Sequence, residues 1–162
     1  PDPKLRQRAN EVTVFDNTLK TTCEDMLETM YNAKGIGLAA IQVNILKRIV
    51  VIDLSEEKNN PLIFINPEII KISVDTKQHG EGCLSVPGIY ENVTRPDSFI
   101  GKYQDLDGLE HKLEADGLLS VCLQHEIDHL NGRVFVDHLS RLKQEKIIRK
   151  LQKEKRRLLA EA

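Results

Sequence analysis

The pentapeptide His125-Glu126-Ile127-Asp128-His129 constrains this chain more than any other feature. It lies in a stretch from Gly117 to Asn131 that reads as a helix stopped by Gly132. Two histidines four residues apart share a helix face, one turn from each other, and can bind one metal ion. Glu126 sits about 100° around the helix from His125. It flanks the ion without competing for it, where a general base for water belongs. The alternative is a helix with two unrelated histidines, but an apolar helix needs a reason to carry this many polar groups.

A catalytic metal site needs a third protein ligand and one open position. In the metzincin pattern a histidine follows the glycine by three residues, but after Gly132 that place is taken by Phe135. In the thermolysin pattern a glutamate follows some way downstream, where this chain has Arg149; Glu145 and Glu154 fall in a basic tail. The third ligand is therefore expected upstream, where two thiols compete. Cys122 lies roughly 7 Å along the helix axis from the midpoint of the histidines, too far for a short side chain and a bond of about 2.3 Å. It suits the wall of a pocket beside the metal. Cys83 lies in Gly80-Glu81-Gly82-Cys83-Leu84-Ser85-Val86-Pro87-Gly88, read as a glycine-rich loop able to approach from outside the helix. A buried structural cysteine is the alternative there.

The 162 residues are most simply one domain, 1–162. Aromatics are 4% and Trp is absent, so the core must come from Ile, Leu, Val and Ala. Three cysteines, Cys23, Cys83 and Cys122, do not make a disulfide framework and suit a reducing compartment. No apolar run approaches the roughly 18 residues of a membrane span, and the first residues do not read as a signal or transit peptide. The missing initial Met leaves room for residues before Pro1.

Residues 137–162 hold nine Lys/Arg against four Asp/Glu, net +5; the remainder holds 14 against 21, net −7. The overall −2 gives no reason for general nucleic-acid binding. The tail either solvates a surface helix or meets RNA phosphates.

Asp16 to Lys34 reads as a helix capped by Asp16 and ended by Gly35, with Leu19, Cys23, Met26, Leu27 and Met30 on its core face. Gly35 to Val43 is a glycine turn running into an extended segment. Arg48–Leu54 is a strand, and Leu62–Ser73 a second one interrupted at Asn66-Pro67. Ser98–Gln104 and Leu109–Ala115 form a hairpin about Asp105-Leu106-Asp107-Gly108. A last helix runs from about Ser140 to Leu159. The expected class is α+β, with antiparallel strands packed around a central HExxH helix and a C-terminal helix. His79, His111 and His138 fit no metal spacing with the motif and read as ordinary satisfied histidines.

Three segments together resemble the peptide deformylase family: Gly35-Ile36-Gly37-Leu38-Ala39-Ala40-Ile41-Gln42, Glu81-Gly82-Cys83-Leu84-Ser85 and Gln124-His125-Glu126-Ile127-Asp128-His129. The match spans essentially the whole chain. The resemblance implies that Cys83, His125 and His129 hold one divalent ion, Fe(II) natively, with Zn, Ni or Co able to occupy purified protein, and that water completes the site. It implies Glu126 as base and then acid, and the Gln42 side chain with the Leu84 N–H as oxyanion donors. Ile36, Gly37 and Gly82 would pair with the substrate backbone; Gly35, Ile36, Val121 and Cys122 would line the methionine pocket. It also pairs Glu81 with Arg95. Ile41 departs from a frequent Pro, and Tyr90 from an Arg that touches peptide in some members. The implied substrate is a formyl-methionyl nascent peptide, and a Cys ligand would make an iron enzyme oxygen-sensitive. The implied protein is a cytoplasmic bacterial monomer, with an organellar origin the lesser reading, and its basic tail is a candidate ribosome anchor. The rivals are an HExxH metallopeptidase, disfavoured by Phe135, and a non-catalytic protein with a structural metal, disfavoured by Glu126.

Overall fold

The computed structural model describes residues 6–83, 86–133 and 135–161. The elements are α1 (Asn17–Asn32), β1 (Gly37–Ala39), β2 (Ile49–Ile52), β3 (Leu62–Ile72), β4 (Thr76–Cys83), β5 (Val86–Pro96), β6 (Phe99–Gln104), β7 (Glu110–Ala115), α2 (Gly117–Leu130) and α3 (Arg141–Glu161). Strands β1-β2-β3-β6-β7 form one antiparallel sheet, and β4 and β5 form a separate antiparallel pair.

The β-branched run of β2 explains the layering. All four residues, Ile49, Val50, Val51 and Ile52, are fully buried, because both faces of this strand are covered. Val50 and Ile52 face Leu123, Ile127 and Leu130 of α2, together with Phe64 and Phe99. Ile49 and Val51 face Leu19, Cys23, Met26 and Met30 of α1, together with Ile65. Alternate residues of one strand thus serve two cores, and burial of each such side chain contributes about 1.5–3 kcal/mol.

Asp16 caps α1 by accepting from the Leu19 N–H at 3.1 Å. The helix ends at Asn32, two residues short of Lys34: the left-handed position is Lys34, with φ 57°, while the Gly35 N–H bonds back to the Met30 carbonyl. The segment after it is extended only over β1, then turns through a 3-10 helix, Ala40–Val43. The interruption at Asn66-Pro67 is a register shift between Ile65 and Glu68. There Asn66 takes φ 50°, and its amide both accepts from the Val12 N–H and donates to the Val12 carbonyl, pinning the N-terminal segment. The 105–108 hairpin forms as expected, with Gly108 at φ 82°.

One reading needs correction. Of the segment 80–88, taken as a loop, the described residues 80–83 and 86–88 lie in strands β4 and β5, whose ladder pairs from Thr76 opposite Pro96 to Gly82 opposite Tyr90. Backbone pairing overrides the low strand propensity of its glycines.

Candidate active site

Helix α2 turns an apolar side to the sheet, while Ser120, Gln124, His125, Glu126 and His129 on its other positions are also buried. Its start is set by Asp116 in extended conformation, and its end by Asn131 and by Gly132 at φ 76°. The Gly132 turn leaves no space for a side chain, since a Cβ would lie 2.4 Å from the Arg6 carbonyl oxygen.

The rings of His125 and His129 meet edge to face with centroids 5.0 Å apart. His125 donates from Nδ1 to Glu81 Oε1 at 2.8 Å, which fixes the ring orientation and turns Nε2 away from Glu81. Burial, reinforced by the neighbouring His125, lowers the His129 pKa to about 3, so its imidazole is neutral near pH 7. A divalent ion requires imidazole nitrogen lone pairs, and the neutral His129 ring beside the Glu81-oriented His125 ring suits that demand.

Glu126 lies against β1, close enough that a Cβ on Gly37 would stand 3.2 Å from its Oε1. Its Oε2 is buried and has no hydrogen-bond partner among the described residues. Burial pushes this carboxyl up to about 7, against the pull of His125 and the Ala39 N–H. A carboxyl in that range both takes and returns a proton at neutral pH.

Glu81 is held in turn. Arg95 gives it a two-pronged contact, Nε to Oε2 at 2.6 Å and a terminal nitrogen to Oε1 at 2.8 Å, and both side chains are buried. Burial alone would raise the Glu81 carboxyl; hydrogen bonds from His125 and Arg95 outweigh it and hold it below the usual range. The Glu81–Arg95 pair expected from the second motif is therefore present.

Gln42 is half-buried, and its Oε1 accepts from the Ala39 N–H at 2.9 Å, which fixes which end of the amide donates. Gly35 is half-buried and Ile36 exposed, just ahead of edge strand β1. Val121 is buried and Cys122 partly so, one turn before His125. The Cys122 thiol is pushed up to about 12 by burial and by nearby Glu126 and Glu81. Gly82 and Cys83 occupy the last two positions of β4. The Cys83 sulfur, Leu84 and the Tyr90 side chain lie outside the described residues.

Sequence reasoning missed Asp128 and His138. Arg95 donates from its third nitrogen to Asp128 Oδ2 at 2.8 Å, and His138 donates from Nε2 to the same oxygen at 2.6 Å. His138 is satisfied, as expected, but by a partner tied to the site. Neither fits a ligand spacing, and only a buried arginine looking for a second anion would have pointed to Asp128.

Paired imidazoles beside a buried carboxyl of raised pKa, on a helix braced by an antiparallel sheet, are the arrangement of a metal-dependent hydrolase of the HExxH type. Residues 1–145 match the polypeptide deformylase family. A peptide deformylase from Pseudomonas aeruginosa is 56% identical over 156 residues, covering 96% of this chain and 93% of that one. The crystal structure of a peptide deformylase from Legionella pneumophila superposes with a TM-score of 0.90 at 46% identity, covering 100% and 95% of the two chains. That of Ehrlichia chaffeensis gives 0.90 at 40% identity, covering 98% and 95%. The chain belongs to the peptide deformylase family, and its activity is that of a metal-dependent deformylase.

Proposed function

We propose that the single catalytic domain, residues 1–162, removes formate from the formyl-methionyl N-terminus of newly made polypeptides with the residues assembled around Glu126. The observation that carries this reading is the buried Glu126 carboxyl, raised to about 7 and seated between the His125/His129 pair and the Gly37 edge.

His125 and His129, with the Cys83 sulfur, would hold one divalent ion, which supplies Lewis acidity to the formyl oxygen and lowers the pKa of water. A Cys/His₂ set accepts Fe(II), Zn, Ni or Co, and oxidation of a thiolate ligand fits an iron enzyme that fails in air. Glu126 takes the proton from the attacking water and passes it to the departing amine nitrogen. The Gln42 amide, oriented by its bond to Ala39, and the Leu84 N–H donate to the oxygen on which charge develops; one such donor is worth roughly 2.7–4 kcal/mol. Ile36 and Gly37 lie at the start of edge strand β1, and with Gly82 they suit an extended peptide added alongside. Gly35, Ile36, Val121 and Cys122 form the side-chain pocket. Among the described residues no helix is long and apolar enough to cross a membrane, and a cytoplasmic monomer acting on nascent chains is the setting we favour.

The test is formate release from a formyl-Met peptide by Glu126→Gln. Turnover falls by about 10²–10⁴-fold while metal content stays at the wild-type level; near-wild-type turnover refutes the role given to Glu126.

Helix α3 bears on where the enzyme works. Its second half, from Gln152, is exposed and carries Lys153, Lys155, Arg156 and Arg157. That charge suits ribosomal RNA phosphates near emerging chains. Ribosome co-sedimentation unchanged by deletion of residues 141–162 would remove α3 as the anchor.

A further inference from the structure

We propose that His138 is a positioning residue for the metal site, acting through Asp128, Arg95 and Glu81 on the ring of His125. The inference rests on the metal role given to His125 above.

Every link in this chain is a charge-assisted hydrogen bond. His138 Nε2 donates to Asp128 Oδ2 at 2.6 Å. Arg95 donates to the same Oδ2 at 2.8 Å and gives its other two nitrogens to Glu81. Glu81 Oε1 accepts from His125 Nδ1 at 2.8 Å. A guanidinium is planar, so two carboxylates placed on its edges fix its orientation. Glu81 belongs to β4 and Arg95 to β5, whereas Asp128 belongs to α2. Arg95 is thus the clamp that ties the β4–β5 pair to the helix bearing both imidazoles.

The weak point of the clamp is Asp128. Its side chain is 16% exposed, against 3% for Arg95 and 5% for Glu81, so water reaches this carboxylate more readily than the others. His138 closes that side. The geometry that brings it there is specified locally. After α2 the chain reverses at Gly132, and the Arg133 N–H bonds to the Asp128 carbonyl at 2.8 Å. The short 3-10 helix Phe135–His138 then packs against β4 and β5, held by an ion pair between its Asp137 and Arg6. With His138 in place Asp128 has one rotamer, Arg95 one orientation, and Glu81 one way to present its oxygen to His125. Partners of metal ligands typically change metal affinity by about 10–100-fold when removed. His138 stands further out, so a smaller effect is expected.

The test uses Co(II)-loaded protein, with loss of the visible absorption on adding EDTA as the readout. His138→Leu should lose Co(II) about 3–10-fold faster than wild type, below the range for direct ligand partners. It should lower kcat for a formyl-Met peptide with KM unchanged. His138→Gln, which keeps a donor at the Nε2 position, should restore both. In an Asp128→Asn background His138→Leu should add nothing further. A wild-type rate of Co(II) loss in His138→Leu overturns the proposal, as do equal effects of Leu and Gln or additive effects of the two sites. If His138→Leu does not fold, Asp128→Asn breaks the same contact from the other side and carries the same prediction and refutation. A wild-type protein that takes up no Co(II) refutes the metal site itself, a failure separable from a bound ion that is indifferent to His138.

Discussion

Gly37→Ala separates catalysis from stability. Gly37 does not occupy a positive-φ conformation, so the backbone accepts alanine. The new methyl would stand 3.2 Å from Glu126 Oε1 and 3.3 Å from its Cγ. Comfortable contacts lie at about 3.5–4.0 Å, so the Glu126 side chain must retreat by about 0.3–0.5 Å. A misplacement of about 1 Å costs about 10²-fold in rate, and the same logarithmic scale gives a loss of about 4–10-fold in kcat for this shift. Stability responds differently. Replacing glycine at a compatible site gains about 0.4–1 kcal/mol by restricting the unfolded chain. An off-rotamer Glu126 loses about 0.5–1.5 kcal/mol. The net lies within about 1 kcal/mol, a Tm change of about 2–4 °C for a domain of this size. Formate release and thermal unfolding on the same preparation decide the matter. An unchanged kcat would mean that Glu126 does not work from the position beside β1. A Tm lowered by more than about 5 °C would mean that β1 repacks instead.

Two further outcomes follow from the titrating groups. Asp53 is buried and accepts from the Tyr31 hydroxyl and from the N–H groups of Ser55 and Asn60. Burial alone would raise its carboxyl, but these bonds and the Ser55 hydroxyl lower it to about 2. A depressed carboxylate stabilises the fold above its unfolded pKa of about 3.9 and loses that contribution as pH falls towards 2. Asp53→Asn should therefore be less stable than wild type in urea at pH 6, with the gap closing between about pH 4 and 2; a gap independent of pH refutes the assignment. Burial pushes the Cys23 and Cys122 thiols up to about 11 and about 12, so neither reacts with iodoacetamide at pH 8 in the folded protein. One thiol, Cys83, should become reactive when a chelator strips the metal, and labelling of Cys83 at the same rate in metal-loaded protein would exclude it as a ligand.

The parts of the fold legible in the sequence are those set by local chemistry. Asp16 announced the start of α1, Asn66-Pro67 the bulge in β3, and Asp105 to Gly108 the hairpin, because each needs a particular side chain or φ at one position. Apolar periodicity placed Cys23, Met26 and Met30 in the core, where they are at most 1% exposed. The β4–β5 pair was illegible because its glycines and prolines carry a loop signature, and only the ladder between these two consecutive strands makes them a hairpin. Lys34 rather than Gly35 takes the left-handed turn because the Gly35 N–H is committed to the Met30 carbonyl. In the site, the helix-encoded members His125, Glu126 and His129 could be read from a period of 3.6. The bracing by Asp128 and His138 depends on where Arg95 points, which no spacing reveals.

The polar load on α2 explains why the site is rigid. Leu123, Ile127 and Leu130 anchor one side of the helix in the sheet core. On the other positions several polar groups have fixed partners. The Gln124 amide donates to the Pro96 carbonyl and the Ser120 hydroxyl, each at 2.9 Å, and His125 and Asp128 are tied to Glu81 and Arg95. Unmatched, such groups would each cost about 1–3 kcal/mol; matched, they remove alternative rotamers around the reacting centre. Glu126 Oε2 is buried without a hydrogen-bond partner among the described residues. Burial destabilises the Glu126 anion and is the source of its raised pKa. A carboxyl raised in this way suits the proton exchange we assign to Glu126. The network around it therefore does more than stabilise the fold: by fixing its neighbours, it keeps the carboxyl to which we assign proton transfer seated beside β1.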